Sequence, residues 1–297
     1  MAVQLRPMAS VFEWKRYWCP RGGNFDLSDR GFLSDPETEW GKVANANLVQ
    51  FDHLAAGRCL ALLGEPGMGK SQDLRRQCLR IEKPIADAGG KVIWLDLRSF
   101  SSEDRLLNSL FGSTAFEPWR NGDYELHLFL DSLDECLLRI DSVASLLADE
   151  LPQQPIERLR LRVICRTLPW PMILESALVR LYGDKGFAAY ELLPLKRSDV
   201  REAAQQSGIS TPDAFLERIE ALAVTPLAIK PVTLNFLINT YLRDGSLPSN
   251  QIELLAGIAK IPGGRNAPAC RSMKPRNSLP GRPQVSRQMG TPSRVTY

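Results

Sequence analysis

A glycine-rich stretch at residues 64–71, GEPGMGKS, constrains this chain of 297 residues more than any other feature. It follows the apolar run CLALL at 59–63 and precedes a helical pattern that begins near Ser71. A strand that leads through glycines into a helix lets the backbone curl, so that successive N–H groups point inward at phosphate oxygens. The stretch therefore predicts a phosphate-binding loop held by a parallel sheet.

The side chains of this loop have distinct predicted roles. Lys70 is expected to reach the β- and γ-phosphates of a nucleotide, and the Ser71 hydroxyl is expected to ligate Mg²⁺. The N-terminus of the following helix adds partial positive charge. A chance glycine turn is the alternative, which the strand before the loop and the helix after it disfavour. The predicted nucleotide-binding residues are Gly64, Glu65, Pro66, Gly67, Met68, Gly69, Lys70, Ser71 and Gln72.

A second motif, LFLDSLDE, lies at residues 128–135. An acid that ends an apolar strand at the carboxyl edge of a parallel sheet lies beside the phosphate loop. Asp131 is therefore predicted as the carboxylate on the Mg²⁺ side, acting through water because Mg²⁺ keeps much of its hydration shell. Asp134 or Glu135 is expected to polarise the attacking water. The alternative is a strand end followed by a solvated acidic turn.

A third polar site follows the apolar run RLRVIC at 160–165. Arg166 stands at the tip of this predicted strand, where its side chain is expected to contact the γ-phosphate and report its presence. A surface arginine at a strand end is the simpler interpretation. The sequence leaves both open.

Apolar runs alternate with helical patterns from residue 51 to residue 196. This alternation is typical of a parallel sheet covered by helices on both faces. We predict an α/β fold: a three-layer P-loop NTPase core at 51–196, followed by a small helical lid at 197–255. Residues 1–50 form an irregular leader, whose aromatic side chains need a surface to pack on.

Residues 256–297 show no periodicity and are rich in Pro, Gly, Ser and Arg, a composition that cannot bury a core. Two interpretations stay open: a disordered basic tail, or out-of-frame peptide after a slip near residue 255. Seven of the 37 basic residues lie at 265–294, where there is no acid. The rest of the chain then has 30 basic and 34 acidic residues, so the folded part is not expected to bind nucleic acid by charge.

Composition also argues against several classes of protein. No apolar run approaches the roughly 18 residues of a membrane-spanning helix, and the N-terminus lacks the apolar core of a signal peptide. We therefore predict a cytoplasmic protein with no membrane partner. The six cysteines are scattered, with no Cys-x-x-Cys pair, which is typical of free thiols. Neither histidine has ligand spacing to them, so no zinc site is expected.

The second motif resembles a known family. Asp-Ser-x-Asp-Glu at 131–135 has a small residue directly after the Mg²⁺ acid and an acidic pair further on, and so resembles the NACHT type of STAND P-loop ATPases. The strand with Arg166 resembles their sensor 1. Thr-Pro-Leu-Ala at 225–228 is similar to the proline motif of their lid, in which Pro226 would pack near the adenine. Val224 stands where the family usually has glycine.

The resemblance covers roughly residues 50–245. It implies an AAA+-like strand order, ATP or ADP with Mg²⁺ as ligands, an ADP-bound resting state and self-association in the ATP state. The implied function is a nucleotide-controlled signalling switch with slow ATP hydrolysis, as in antiviral defence proteins of bacteria. Such proteins also carry effector and sensor domains, and no familiar one is recognised here. The chain therefore resembles the ATPase core of a larger switch.

Other functions compete with this one. An AAA+ motor or chaperone ATPase is expected to have Glu directly after the Mg²⁺ acid, where this chain has Ser132. It would also need an arginine finger that reaches a neighbouring subunit; Arg139 and Arg158 are candidates, but neither lies in a motif. An inert nucleotide-binding module could grip nucleic acid through its basic tail, although Tyr297 is the only aromatic residue there for base stacking. A small-molecule kinase would need an acceptor site that is not seen. Guanine specificity is not expected, because no N-K-x-D follows the sheet.

Overall fold

The computed structural model describes residues 12–114 and 116–258. In these residues, five parallel strands and one antiparallel strand form a single sheet. The strands are β1 (Trp18–Pro20), β2 (Cys59–Leu63), β3 (Lys91–Asp96), β4 (Leu126–Asp131), β5 (Leu159–Ile164) and β6 (Phe187–Leu192). Their order is β1-β6-β2-β5-β4-β3, so β2, which leads into the glycine loop, lies in the interior.

Helices connect the strands and continue beyond the sheet. One helix, α3, joins β2 to β3, and α4 and α5 lie between β3 and β4. Helices α6 and α7 follow β4 and β5, and α8 to α12 come after β6. The helices are α1 (Glu39–Ala44), α2 (Phe51–Leu54), α3 (Lys70–Asp87), α4 (Glu103–Leu110), α5 (Glu117–Asn121), α6 (Ile140–Glu150), α7 (Met172–Tyr182), α8 (Arg197–Gln206), α9 (Pro212–Ala221), α10 (Thr225–Ala228), α11 (Pro231–Asp244) and α12 (Gln251–Ile258). None of these described helices is long and apolar enough to cross a bilayer.

Alternate residues of the interior strands face different helical layers. In β2, Leu60 and Leu62 pack in one cluster with α3, whereas Cys59, Ala61 and Leu63 pack in another with α6 and α7. The connection from β2 to β3 crosses the sheet in the opposite direction to those from β4 to β5 and from β5 to β6. Because such crossovers are right-handed, they place α3 on one face and α6 and α7 on the other. The predicted three-layer α/β fold is confirmed.

The leader contributes to this architecture. Strand β1 pairs antiparallel with β6, and Trp18, opposite Leu192, is fully buried. Phe12 and Phe32 pack in a separate cluster with helices α8 to α11. Described residues of the leader are thus more regular than expected, with one strand and one helix, and their aromatic side chains pack on both the sheet and the helices.

The region after β6 settles one open expectation and differs from another. The run at 226–245 predicts a helix that is either kinked at Pro231 or begins there, and in the structure α11 begins at Pro231, because proline lacks the N–H that the first helical position leaves unused. Helix α12 continues to Ile258, three residues into the range expected to be a tail. The remainder of that range lies outside the described residues. The described part of the chain falls within one compact unit, so the boundaries at 50, 196 and 255 stay predictions.

Candidate functional site

The glycine loop joins β2 to α3 at the carboxyl edge of the sheet. Gly67 and Gly69 have φ angles of 79° and 81°, in the left-handed region that residues with a Cβ enter only at a cost. Gly69 is the N-cap of the 18-residue helix α3, and no side chain caps this end. Since the first N–H groups of a helix have no intrahelical acceptor, this end provides donors and partial positive charge for an anion.

The Lys70 side chain extends back over the glycine loop. Its Nζ donates to the carbonyl oxygens of Gly64 and Glu65, the latter at 3.2 Å. Burial lowers the pKa of Lys70, and the nearby carboxylates of Asp134 and Glu135 oppose that change. A phosphate bound at the loop would offer this ammonium negatively charged oxygen acceptors. The hydrogen bonds to them would be stronger than those to the two carbonyl oxygens.

Ser71 and Asp131 meet, as both motifs predict. The Ser71 hydroxyl donates to Asp131 Oδ1 at 2.8 Å, and the other carboxylate oxygen of Asp131 is buried with no hydrogen-bond partner. Burial raises the pKa of Asp131, and the bond from Ser71 partly offsets this. A hydroxyl beside an unsatisfied carboxylate oxygen fits Mg²⁺, whose other ligands would be water and phosphate oxygens. In the described residues no group of three or more His, Cys, Asp or Glu side chains gathers to hold a metal.

The chain turns sharply after Asp131. Ser132 adopts φ 62°, an unusual left-handed conformation for a residue other than glycine, and such strain is concentrated at functional sites. A 3₁₀ turn over Leu133–Glu135 follows. This turn brings Asp134 to the end of β5, where it accepts hydrogen bonds from the Arg166 backbone N–H at 2.9 Å and from Arg166 Nε.

The two candidate bases therefore differ in their surroundings. The Asp134 side chain is 5% exposed, and both of its oxygens accept hydrogen bonds from Arg166. The Glu135 side chain is 47% exposed, with its carboxylate 3.7 Å from Arg98 Nη1. Arg98 in turn donates to Asp96 at 2.9 and 2.6 Å. The structure thus joins Asp134 to Arg166 and leaves Glu135 accessible from solvent.

Four residues of the predicted nucleotide-binding set are exposed: Glu65, Pro66, Gln72 and Pro226. Gln72 lies on the solvent side of α3, and Pro226 lies in the short helix α10. The helical region instead reaches the loop through the start of α11. The Val232 N–H donates to the Gly67 carbonyl at 3.4 Å, and a Cβ on Gly69 would lie 3.5 Å from Pro231 Cγ. Sequence reasoning identified Pro231 only as a helix start and did not foresee this contact.

Arg16 of the leader is a further residue that sequence reasoning missed. Its guanidinium donates to the carbonyl of Met68 in the loop at 2.9 Å and to the carbonyl of Leu193, just after β6, at 2.7 Å. Arg16 is 6% exposed, and burial lowers its pKa to about 10 although Asp73 acts in the opposite direction. No local sequence motif marks Arg16, and its hydrogen-bond partners Met68 and Leu193 lie far from it along the chain.

Comparisons with known proteins give fold-level similarities only. No family model and no curated protein matches the chain. Among solved structures, the Thermotoga maritima RuvB Holliday junction branch migration motor has 14% identity and a TM-score of 0.38 over 68% of this chain and 61% of its own. The Aeropyrum pernix ORC1 protein in complex with DNA has 16% identity and a TM-score of 0.45 over 68% and 59%. C. elegans PCH-2 has 13% identity and a TM-score of 0.42 over 71% and 64%.

The chain spans less than two thirds of the length of these three structures. Similarities at this level do not bear on function. The strand order, the glycine loop at the carboxyl end of β2 and the acid at the end of β4 define the fold directly. The chain has the α/β fold of a P-loop NTPase.

Proposed function

We propose that this chain is the ATP-binding core of a nucleotide-controlled signalling switch of the NACHT type, with slow Mg²⁺-dependent hydrolysis. One observation carries the proposal: Pro231 and Val232, at the start of α11, pack against Gly67 and Gly69 of the phosphate loop. The loop that would hold phosphate is thereby in direct contact with the helical region. A nucleotide that binds more tightly with these contacts made than with them broken would bias the position of the helices.

In this proposal the loop residues bind and orient the nucleotide. The N–H groups at the start of α3 and the Lys70 ammonium bind phosphate oxygens. Ser71 and Asp131 would hold Mg²⁺, which when bound would neutralise charge on those oxygens. Arg166, which Asp134 orients, would contact the terminal phosphate.

Glu135 is the residue that we assign to orient the attacking water, because the carboxylate of Asp134 is already occupied by Arg166. Hydrolysis would be slow for two reasons. The residue directly after the Mg²⁺ acid is Ser132, which is no base, and Glu135 is exposed, so it is held less firmly than a buried catalytic group. A long-lived bound nucleotide suits a switch better than a motor.

The competing motor function gains no support from the candidate arginine fingers. The Arg158 guanidinium donates to the carbonyls of Trp119 at 3.0 Å and Tyr124 at 3.2 Å, so it is engaged within its own chain. Arg139 precedes α6 and has no motif around it. Self-association in the ATP state and a role in antiviral defence belong to the proposal through the family resemblance alone, and the cytoplasmic location stays a prediction from the sequence composition.

Hydrolysis of Mg-ATP by the full chain tests this assignment. We expect turnover well below about 1 s⁻¹, under the usual range for enzymes, and a loss on the order of 100-fold in Glu135→Gln. Glu82→Gln, which changes an exposed acid of α3, is the matched control and should hydrolyse like the parent. Turnover near 10 s⁻¹ would favour a motor. A Glu135→Gln variant as active as the parent would remove Glu135 from its assigned role.

A further inference from the structure

Arg16 is a buried cation that joins two separate parts of the site. Its two terminal nitrogens donate to different segments: Nη1 to Met68 in the phosphate loop at 2.9 Å, and Nη2 to Leu193 at 2.7 Å. Leu193 lies in the short link between β6 and α8, and its own N–H donates to the Tyr17 carbonyl at 3.0 Å. One side chain of the leader therefore holds both the loop and the start of this link.

Burying a guanidinium is costly, and an apolar side chain in the same place would avoid that cost. The acids near Arg16 offset it only in part. Asp73 and Asp199 act against the fall in its pKa, yet burial dominates. Asp73 is itself 2% exposed, and one of its carboxylate oxygens has no hydrogen-bond partner. A charge kept in such surroundings suggests a role beyond packing.

The bond to Met68 has a geometric consequence for the loop. A peptide unit is planar and trans, so the carbonyl of Met68 and the N–H of Gly69 point in opposite directions. Arg16 holds that carbonyl from the leader side, and this orients the Gly69 N–H away from Arg16. Gly69 is the N-cap of α3, where an anion would be bound.

We propose that Arg16 is a positioning residue, which presets the Met68–Gly69 peptide for phosphate and couples its orientation to the link at Leu193. This inference rests on the proposed nucleotide site. Phosphate bound to the Gly69 N–H fixes the same peptide whose carbonyl Arg16 grips, so nucleotide binding stabilises the Arg16 bonds on both sides. The loop, the leader and the link to the helical region then respond together.

The test combines Mg-ADP affinity, by calorimetry, with amide hydrogen exchange of the full chain. In the parent, Mg-ADP should slow exchange both in the loop at 66–71 and in the link at 193–196. Arg16→Met and Arg16→Lys should bind Mg-ADP on the order of tenfold more weakly, because one or two charge-assisted hydrogen bonds are lost and lysine cannot fork between two carbonyls. In both variants Mg-ADP should protect the loop but no longer the link.

Arg76→Met is the matched control. Arg76 also ties the leader to α3, through the Phe12 carbonyl at 2.8 Å and Asp73 at 3.1 Å, without a bond to the loop. It should keep the parent's affinity for Mg-ADP and the parent's protection of the link.

Three results would overturn the inference. Arg16 variants with the parent's affinity and protection of the link would refute it while leaving the nucleotide site intact. If neither Arg16 variant folds, the parent decides: Mg-ADP that protects the loop but not the link means that no coupling exists. A parent that fails to bind Mg-ADP refutes the proposed function, and this inference with it.

Discussion

At the scale of single residues, Asp131 is a carboxylate that the fold buries at a cost in free energy. Its carboxylate is fully buried at the end of β4, one oxygen accepts from Ser71 and the other has no partner. Burial raises its pKa, so the charged form destabilises the fold. Under the proposed function, Mg²⁺ bound with nucleotide beside this carboxylate would offset the cost.

Replacing Asp131 with asparagine separates the cost of the buried charge from its use in binding Mg²⁺ with nucleotide. Asparagine keeps an acceptor for Ser71 and removes the buried charge, so the ligand-free chain should be at least as stable as the parent in urea. Nucleotide at 100 times the parent's Kd adds about 2.7 kcal/mol to the parent, and hundredfold weaker binding reduces that gain to about 0.4 kcal/mol. Asp149→Asn, at an exposed site on α6, should behave like the parent. An Asp131→Asn chain that keeps its full response to Mg-ADP would exclude Asp131 from the metal site.

His127 is a second buried titratable residue, on β4 but away from the loop. Burial lowers its pKa to about 4, and the cationic Arg162 and Arg160 act in the same direction, whereas Glu125 opposes them. Arg80 of α3 also faces the small cavity that His127 lines, about 300 Å³ in volume. The folded chain therefore keeps this imidazole neutral at pH values where the unfolded chain protonates it.

Because of this difference in protonation, the free energy of unfolding depends on pH. Above pH 6.5 both states hold a neutral His127, and as the pH falls from about 6.5 toward 4 only the unfolded state gains the proton, so stability is lost. We expect His127→Gln to remove on the order of 1–2 kcal/mol of the destabilisation between pH 6.5 and pH 4.5, given 1.36 kcal/mol per pKa unit. Urea unfolding at several pH values measures it. His53→Gln, at an exposed histidine, should leave the profile unchanged, and equal profiles for His127→Gln and parent would refute the assignment.

At the scale of elements, the glycine loop depends on backbone conformation as much as on side chains. Gly69 and Gly245 both adopt the left-handed conformation, with φ angles of 81° and 73°, but only Gly69 lies in the glycine loop. Alanine in the left-handed region costs about 1 kcal/mol or more, so both Gly69→Ala and Gly245→Ala should lower stability by that amount. Only Gly69→Ala should also weaken Mg-ADP binding, by tenfold or more, as measured by calorimetry. Equal binding by the two variants would contradict the assigned loop.

The sequence predicts those elements that are marked by a pattern of neighbouring residues. Strands β2 and β4 are continuous apolar runs bounded by motif residues, and the sequence predicts both strands and the position of Asp131 beside the phosphate loop. Strand β1 has three residues, too few for a period. Helix α7 has exposed Met172 and Ile173, which blur its amphipathic stripe, and it was not predicted. The contacts of Arg16 and Pro231 with the loop join residues far apart in sequence, for which no local pattern exists; Arg16 and Met68 are 52 positions apart.

At the scale of the whole molecule, the leader, the sheet and the helices meet around the phosphate loop. Trp18 is buried against the sheet, and Phe12 and Phe32 pack among helices α8 to α11. Arg16 and the start of α11 reach the loop from these two sides. Nucleotide bound at the loop should therefore stabilise the described parts of the chain together, in one cooperative transition.

Thermal unfolding of the full chain with Mg-ADP and with Mg-ATP tests this account most directly. Ligand at 100 times its Kd should add about 2.7 kcal/mol, a rise on the order of 5–10 °C in Tm. The rise should be absent in Lys70→Ala and preserved in Lys83→Ala, which alters an exposed lysine of the same helix. A larger rise with ADP than with ATP is the result expected of a switch at rest. No rise in the parent, or an equal rise in Lys70→Ala, would contradict the assignment of the phosphate loop.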